Sequence, residues 1–234
     1  MSSVSSTDTA ETPRVSQSTY LRTTFLEGLA HELRGPSGVT LGALDELELA
    51  LGEHAAAHAT LFAMARRGVR RVLRSAERLS RTAQLELPGH MLVREEVDLT
   101  KLVERSAKEA ELVEARRGVK VELTLPEGKQ VARVDPSWLG AAMAEMVGAA
   151  LRSARRSVMV ELQQSGDVFR FVVCDDGVAG GLPRTRRFEA SEDRRDAGLA
   201  FPMIKEVAEA HGGELSLRNG EMAGLLAVLT FTAA

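Results

Sequence analysis

Residues 62–83 constrain most tightly what this chain can fold into. Phe62, Ala65, Val69, Val72, Ala76, Leu79 and Ala83 recur at spacings of three and four without a break. That is a heptad seam of the coiled-coil type, and a helix carrying one must bury it against other helices. The segment before it offers a partner. Leu26, Leu29 and Leu33 share one helical face, and Leu44, Leu47 and Leu51 continue the pattern beyond Pro36. The spacing predicts a first helix over 17–52, a proline kink at Pro36, a turn region over 53–60 and a second helix over about 60–86. Two helices cannot enclose a core. The simplest solution is a four-helix bundle from two copies, so a homodimer through residues 17–86 is expected.

The helical texture stops at "LPGH", residues 87–90, where proline and glycine break the helix. Beyond it, strands and helices mix. "LVREEVDL", "VKVELTL", "QVARVD", "SVMVELQQ", "VFRFVVCDD", "ELSLRN" and "LLAVLTFT" read as strands. Helices are expected over 99–117, 135–155 and 202–211, the second opened by Asp135 as cap and Pro136 in its first turn. The expected fold class is therefore multidomain: an antiparallel helical hairpin forming a dimeric bundle, then an α+β domain with helices on one face of a sheet. The expected divisions are a Ser/Thr-rich disordered tail over 1–16, the hairpin over 17–88 and the mixed domain over 91–234.

Other features exclude classes of function. A net charge of −3 gives no support for nucleic acid or an anionic membrane as partner. No run of eighteen apolar residues exists, so no membrane span is expected. The single cysteine, Cys174, rules out an intramolecular disulfide framework. A cytoplasmic protein with no sensor domain before the hairpin is expected. His54 and His58 stand four apart but lack a third ligand, so no metal site is expected.

One residue of the first helix stands apart from its surroundings. His31 lies two residues from both Leu29 and Leu33, about 200° round the axis from each, so the imidazole points away from the leucine stripe. Neutral imidazole keeps an unprotonated nitrogen near pH 7 and is a good nucleophile there. Glu32 beside it can hold the other ring nitrogen or take its proton. A surface histidine beside a solvated carboxylate is the plainer alternative.

His31-Glu32-Leu33-Arg34-x-Pro36 resembles the phosphoacceptor box of bacterial sensor histidine kinases. The later segments "DPSWLGAAMAEMVGAAL", "VVCDDGVAGGL" and "AGLAFPMIKEVAEAHGGELSL" resemble that family's asparagine-containing helix, adenine-binding Asp-Gly loop and phosphate loop. The resemblance implies a dimeric phosphotransfer bundle followed by an ATP-binding domain, with receiver domains of response regulators as partners. It makes His31 the phosphoacceptor, with Glu32 and Arg34 beside it, and Asp175, Gly177 and Gly198 the remnant of a nucleotide site.

The departures from that pattern are specific. The two family asparagines align with Glu145 and Ala149, and the second would normally hold magnesium. Ala179 and Ala200 stand where loop glycines are expected, and Pro202 where a helical alanine is. Alanine cannot coordinate a cation, and proline has no amide to offer a phosphate. The expectation is that this chain binds no cofactor of its own and that magnesium arrives on the receiver. In the family, the residue four after the histidine is often Thr or Asn and positions water against the receiver phosphate; here it is Gly35. Arg67, Arg70, Arg71, Arg74 and Arg78 of the second helix form a stripe that either is a solvated face or docks an acidic receiver.

The reading that follows is a histidine phosphotransferase taking a phosphoryl group on His31 from one receiver aspartate and passing it to another. The alternatives are an ATP-dependent kinase that autophosphorylates His31 and a receiver-docking pseudokinase scaffold.

Overall fold

The computed structural model describes residues 17–85, 92–114, 118–178, 200–220 and 224–233. The expectations for the 1–16 tail, the 87–90 break, Ala179 and Gly198 lie outside the described residues.

Two long helices come first, α1 (Gln17–Leu51) and α2 (Ala55–Leu85), joined by a single 3₁₀ turn at Gly52–His54. The second helix thus begins five residues before its expected start. The "AAAHAT" run is rich in the best helix former, and the reversal falls instead on Gly52, whose φ of +52° suits glycine. α1 runs unbroken through Pro36.

The heptad seam divides in two. Phe62, Ala76 and Ala83 are buried, together with Ala55 and Ser80, on a helix whose main packing partner is α1. Ala65 is exposed and Val72 is 44% exposed, with Leu79 half-buried. On α1 the buried line is Thr23, Ala30 and Ser37, spaced by sevens, with Leu26 and Leu33 half-buried beside it. Leu29, expected in the leucine stripe, is 37% exposed. Small residues at the contact let the two helix axes approach closely. That leaves one flank of each helix apolar and uncovered within a single chain. At the hairpin end, Arg66 bridges Asp45 at 2.7 Å and Glu48, with its guanidinium over the Phe62 ring.

The mixed domain follows as β1 (Glu95–Asp98), α3 (Leu99–Glu114), β2 (Lys120–Thr124), β3 (Val131–Val134), α4 (Pro136–Ser153), β4 (Ser157–Ser165), β5 (Val168–Asp175), α5 (Ala200–Ala210), β6 (Leu215–Asn219) and β7 (Leu225–Thr232). β2, β4, β5, β7 and β6 form one sheet in that order, with β2–β4 parallel and the other pairs antiparallel. β1 and β3 pair separately as an antiparallel ribbon. Alternation along the strands turns Val158, Val160 and Leu162 of β4, and Phe169, Phe171 and Val173 of β5, into one core. α4 and α5 cover that face, and α3 packs on α4.

Local chemistry sets the helix starts. The Asp135 carboxylate accepts from the amides of Ser137 and Trp138, capping α4 with Pro136 in its first turn. α5 begins at Ala200, two residues earlier than expected. Pro202 falls in its first turn, where a helix leaves its amides unpaired anyway, so the missing N–H disturbs no helical bond.

Candidate functional site

His31 lies near the middle of α1, next to the fully buried Ala30, and its side chain is exposed. Burial of Ala30 against α2 fixes the helix rotation, and that rotation turns His31 outward. Glu32 and Arg34 are exposed on the same stretch. Pro36 has no N–H, so the usual helical bond to the Glu32 carbonyl cannot form. The Pro36 carbonyl in turn accepts from Thr40 Oγ1 at 2.8 Å. A Cβ placed on Gly35 would meet nothing within 4 Å, so the surface beside His31 is open. Chemically, this is a nucleophilic ring on a rigid support with free approach.

The arginine stripe of α2 splits by face. Arg67 and Arg71 are exposed. Arg70, Arg74, Arg78 and Arg81 instead reach the mixed domain. Arg74 Nη1 donates to Glu114 Oε1 at 2.9 Å, and Arg152 donates to the same oxygen at 2.7 Å. Arg78 pairs with Glu145, both side chains nearly buried. Arg81 donates to the Ser137 carbonyl and lies 5.3 Å over the Trp138 ring, and Arg70 reaches the Leu112 carbonyl at 3.4 Å. Burial pulls the Arg74 pKa below its ordinary value, while Glu145 and Glu114 oppose the shift. Between these contacts lies a groove of about 190 Å³, floored by Leu73, Ala110, Val113 and Met203.

Asp175 ends β5 and is buried. Its Oδ1 accepts from Gly177 N at 2.8 Å and its Oδ2 from Leu225 N at 3.3 Å. Burial raises its pKa and the two amides hold it back. Glycine is required at 177 because a Cβ there would stand 2.5 Å from the Ser153 carbonyl oxygen. The next residue, Asp176, accepts from the amides of Arg155, Arg156 and Ser157, which lowers its pKa. Both aspartates of the loop therefore have structural partners within the domain. Ala149 is half-buried and packs against the core, and Gly198 lies outside the described residues.

Glu114, Glu145, Arg152 and Trp138 were not singled out for α2 by sequence reasoning. The available signal was Glu145 itself. A carboxylate between Met143, Met146 and Val147 on an apolar helix face needs a cationic partner, because an unpaired charge is costly to bury.

Among the described residues, no helix is long and apolar enough to cross a membrane. No family model and no curated protein sequence matches the chain. Solved structures do. Full-length ShkA in complex with AMPPNP superposes with a TM-score of 0.63 at 21% identity, over 91% of this chain and 46% of that one. The chain thus spans about half the length of ShkA. The histidine kinase AdeS of Acinetobacter baumannii gives 0.52 at 16% identity, covering 87% and 98% of the two chains. A histidine kinase from Burkholderia phymatum gives 0.50 at 20% identity, covering 94% and 100%. The helical hairpin and the sheet domain that follows it together make the two-part fold of the two-component histidine kinases, and that is the fold of this chain.

Proposed function

We propose that this chain is a histidine phosphotransferase of a two-component phosphorelay. It accepts a phosphoryl group on His31 from a receiver aspartate and passes it to a second receiver. The observation that carries the reading is a contrast within one chain. His31 is exposed on an uninterrupted helix, while Glu145, at the position of a nucleotide-side asparagine, is committed to Arg78 and Ala149 offers no metal ligand.

In the step proposed, the aspartyl P–O bond breaks as a His31 N–P bond forms. The receiver carboxylate leaves with the electron pair, and the proton on the other ring nitrogen passes to Glu32 or water. The receiver brings its own aspartate and magnesium, so no metal ligand is needed here. The working unit is a homodimer, whose second copy covers the Ala65–Val72 flank of α2 and the exposed Leu21 and Phe25 of α1. Arg34, Arg67 and Arg71 steer the acidic receiver, while Arg74 and Arg78 serve inside the chain.

Two parallel incubations test the reading, one with labelled ATP–magnesium and one with a panel of labelled phospho-receivers. Label on His31 from a receiver and not from ATP supports phosphotransfer. Efficient label from ATP makes the chain an autokinase. No label from either source, with receivers still bound, makes it a scaffold.

A further inference from the structure

The contacts between α2 and the sheet domain have an arrangement that a loose tether would not produce. Arg70, Arg74, Arg78 and Arg81 recur at spacings of four, four and three, so they share one face of α2 over about 16 Å of helix. Each of the four reaches the sheet domain: Arg70 the Leu112 carbonyl, Arg74 Glu114, Arg78 Glu145, and Arg81 the Ser137 carbonyl and the Trp138 ring. Arg152 of α4 backs Glu114 from its own domain. Gly148 leaves the room this needs, since a Cβ there would lie 3.2 Å from Arg74 Nη1.

Four anchors spread along one helix oppose rotation as well as separation. Taking the Arg78–Glu145 pair out of water has a desolvation cost that its attraction only partly offsets, so its main effect is on geometry. Removing one partner is different, because it strands a buried charge.

We infer that Glu145 and Glu114 latch the sheet domain onto α2 and make it a fixed buttress of the hairpin. His31 is exposed in the latched arrangement, so the domain need not move for a partner to reach it. The latch also assigns Glu145 a role, as the α4 residue that orients the two parts of the chain.

Spin labels at Glu53→Cys, on the hairpin turn, and Asp167→Cys, on the β4–β5 turn, read the arrangement by dipolar spectroscopy. Both positions are exposed, and the native Cys174 is buried. Labelled chain is diluted into an excess of unlabelled chain. The expected result is one narrow distance distribution for the otherwise native protein, broadened by Glu145→Ala and by Arg78→Ala, and narrowed again in the charge swap Arg78→Glu with Glu145→Arg. Arg78→Ala sits on the hairpin and covers the case in which Glu145→Ala perturbs the sheet domain itself. A broad native distribution overturns the inference, and so does a distribution unchanged in both single variants. No receiver takes part, so this result is independent of phosphotransfer on His31.

Discussion

The amide of Asp135 donates to Nε2 of His211 at 3.1 Å, while Nδ1 of the same ring lies 2.8 Å from the Val207 carbonyl. The N-cap of α4 is thereby tied to the C-terminal end of α5. His211 is fully buried, and the bond to Asp135 requires an unprotonated Nε2. Burial lowers the His211 pKa below its ordinary 6.5, with Arg94 adding to the shift and Asp135 opposing it.

The sign of the resulting pH dependence follows. A depressed folded-state pKa means the unfolded chain binds the proton first, so the His211 contribution is complete above pH 6.5 and declines as pH falls below it. Denaturant unfolding between pH 8 and about 5 should show that decline. In His211→Gln the decline should be smaller. An equal slope in both proteins would assign the pH dependence to other groups.

Val72 stands on the uncovered half of the α2 seam. Val72→Asp should leave the fold of the single chain intact and dissociate the homodimer, because a carboxylate would be buried at the bundle centre without a cation. Light scattering checks it. A native protein that is monomeric at micromolar concentration contradicts the bundle.

Asp175 accepts two backbone amides with its two oxygens. Asn cannot accept with both, so Asp175→Asn should lower stability by about 1–3 kcal/mol whether or not nucleotide is present. Calorimetry should find weak ATP–magnesium binding to the native chain. Tight, magnesium-dependent binding abolished by Asp175→Asn would show a working nucleotide site.

Gly35 has no side chain to hold a water, and the space around it is open. Direct release of phosphate from a phospho-receiver should therefore be slow. Gly35→Asn should fit without repacking and raise that release. Rapid release by the native protein that persists in His31→Ala would refute the reasoning.

Much of this was legible in the sequence because it depends on period. The 3-4 spacing located both helices, the alternation in "VFRFVVCDD" located β5, and Asp135-Pro136 marked the start of α4. What escaped depends on contacts between distant segments. Which half of the α2 seam faces α1 is decided by helix rotation, and the period alone is the same for both halves. The partners of Arg74 and Arg78 lie 40 and 67 residues away, so spacing along α2 could only mark a charged face. Pro202 stands as a departure because the resemblance implies an alanine there, and only the start of α5 at Ala200 shows that it falls in a first turn, where its missing amide disturbs no helical bond. The link of His211 to Asp135 appears only once α4 and α5 are side by side.

The most direct test of phosphotransfer is to mix the native chain with one labelled phospho-receiver and follow acid-labile, base-stable label. The account predicts label on the native chain, none on His31→Ala, and onward movement to a second, unphosphorylated receiver, with transfer slowing as salt screens the exposed arginines. A broad receiver panel that leaves His31 unlabelled, while ATP–magnesium labels it efficiently, would contradict it.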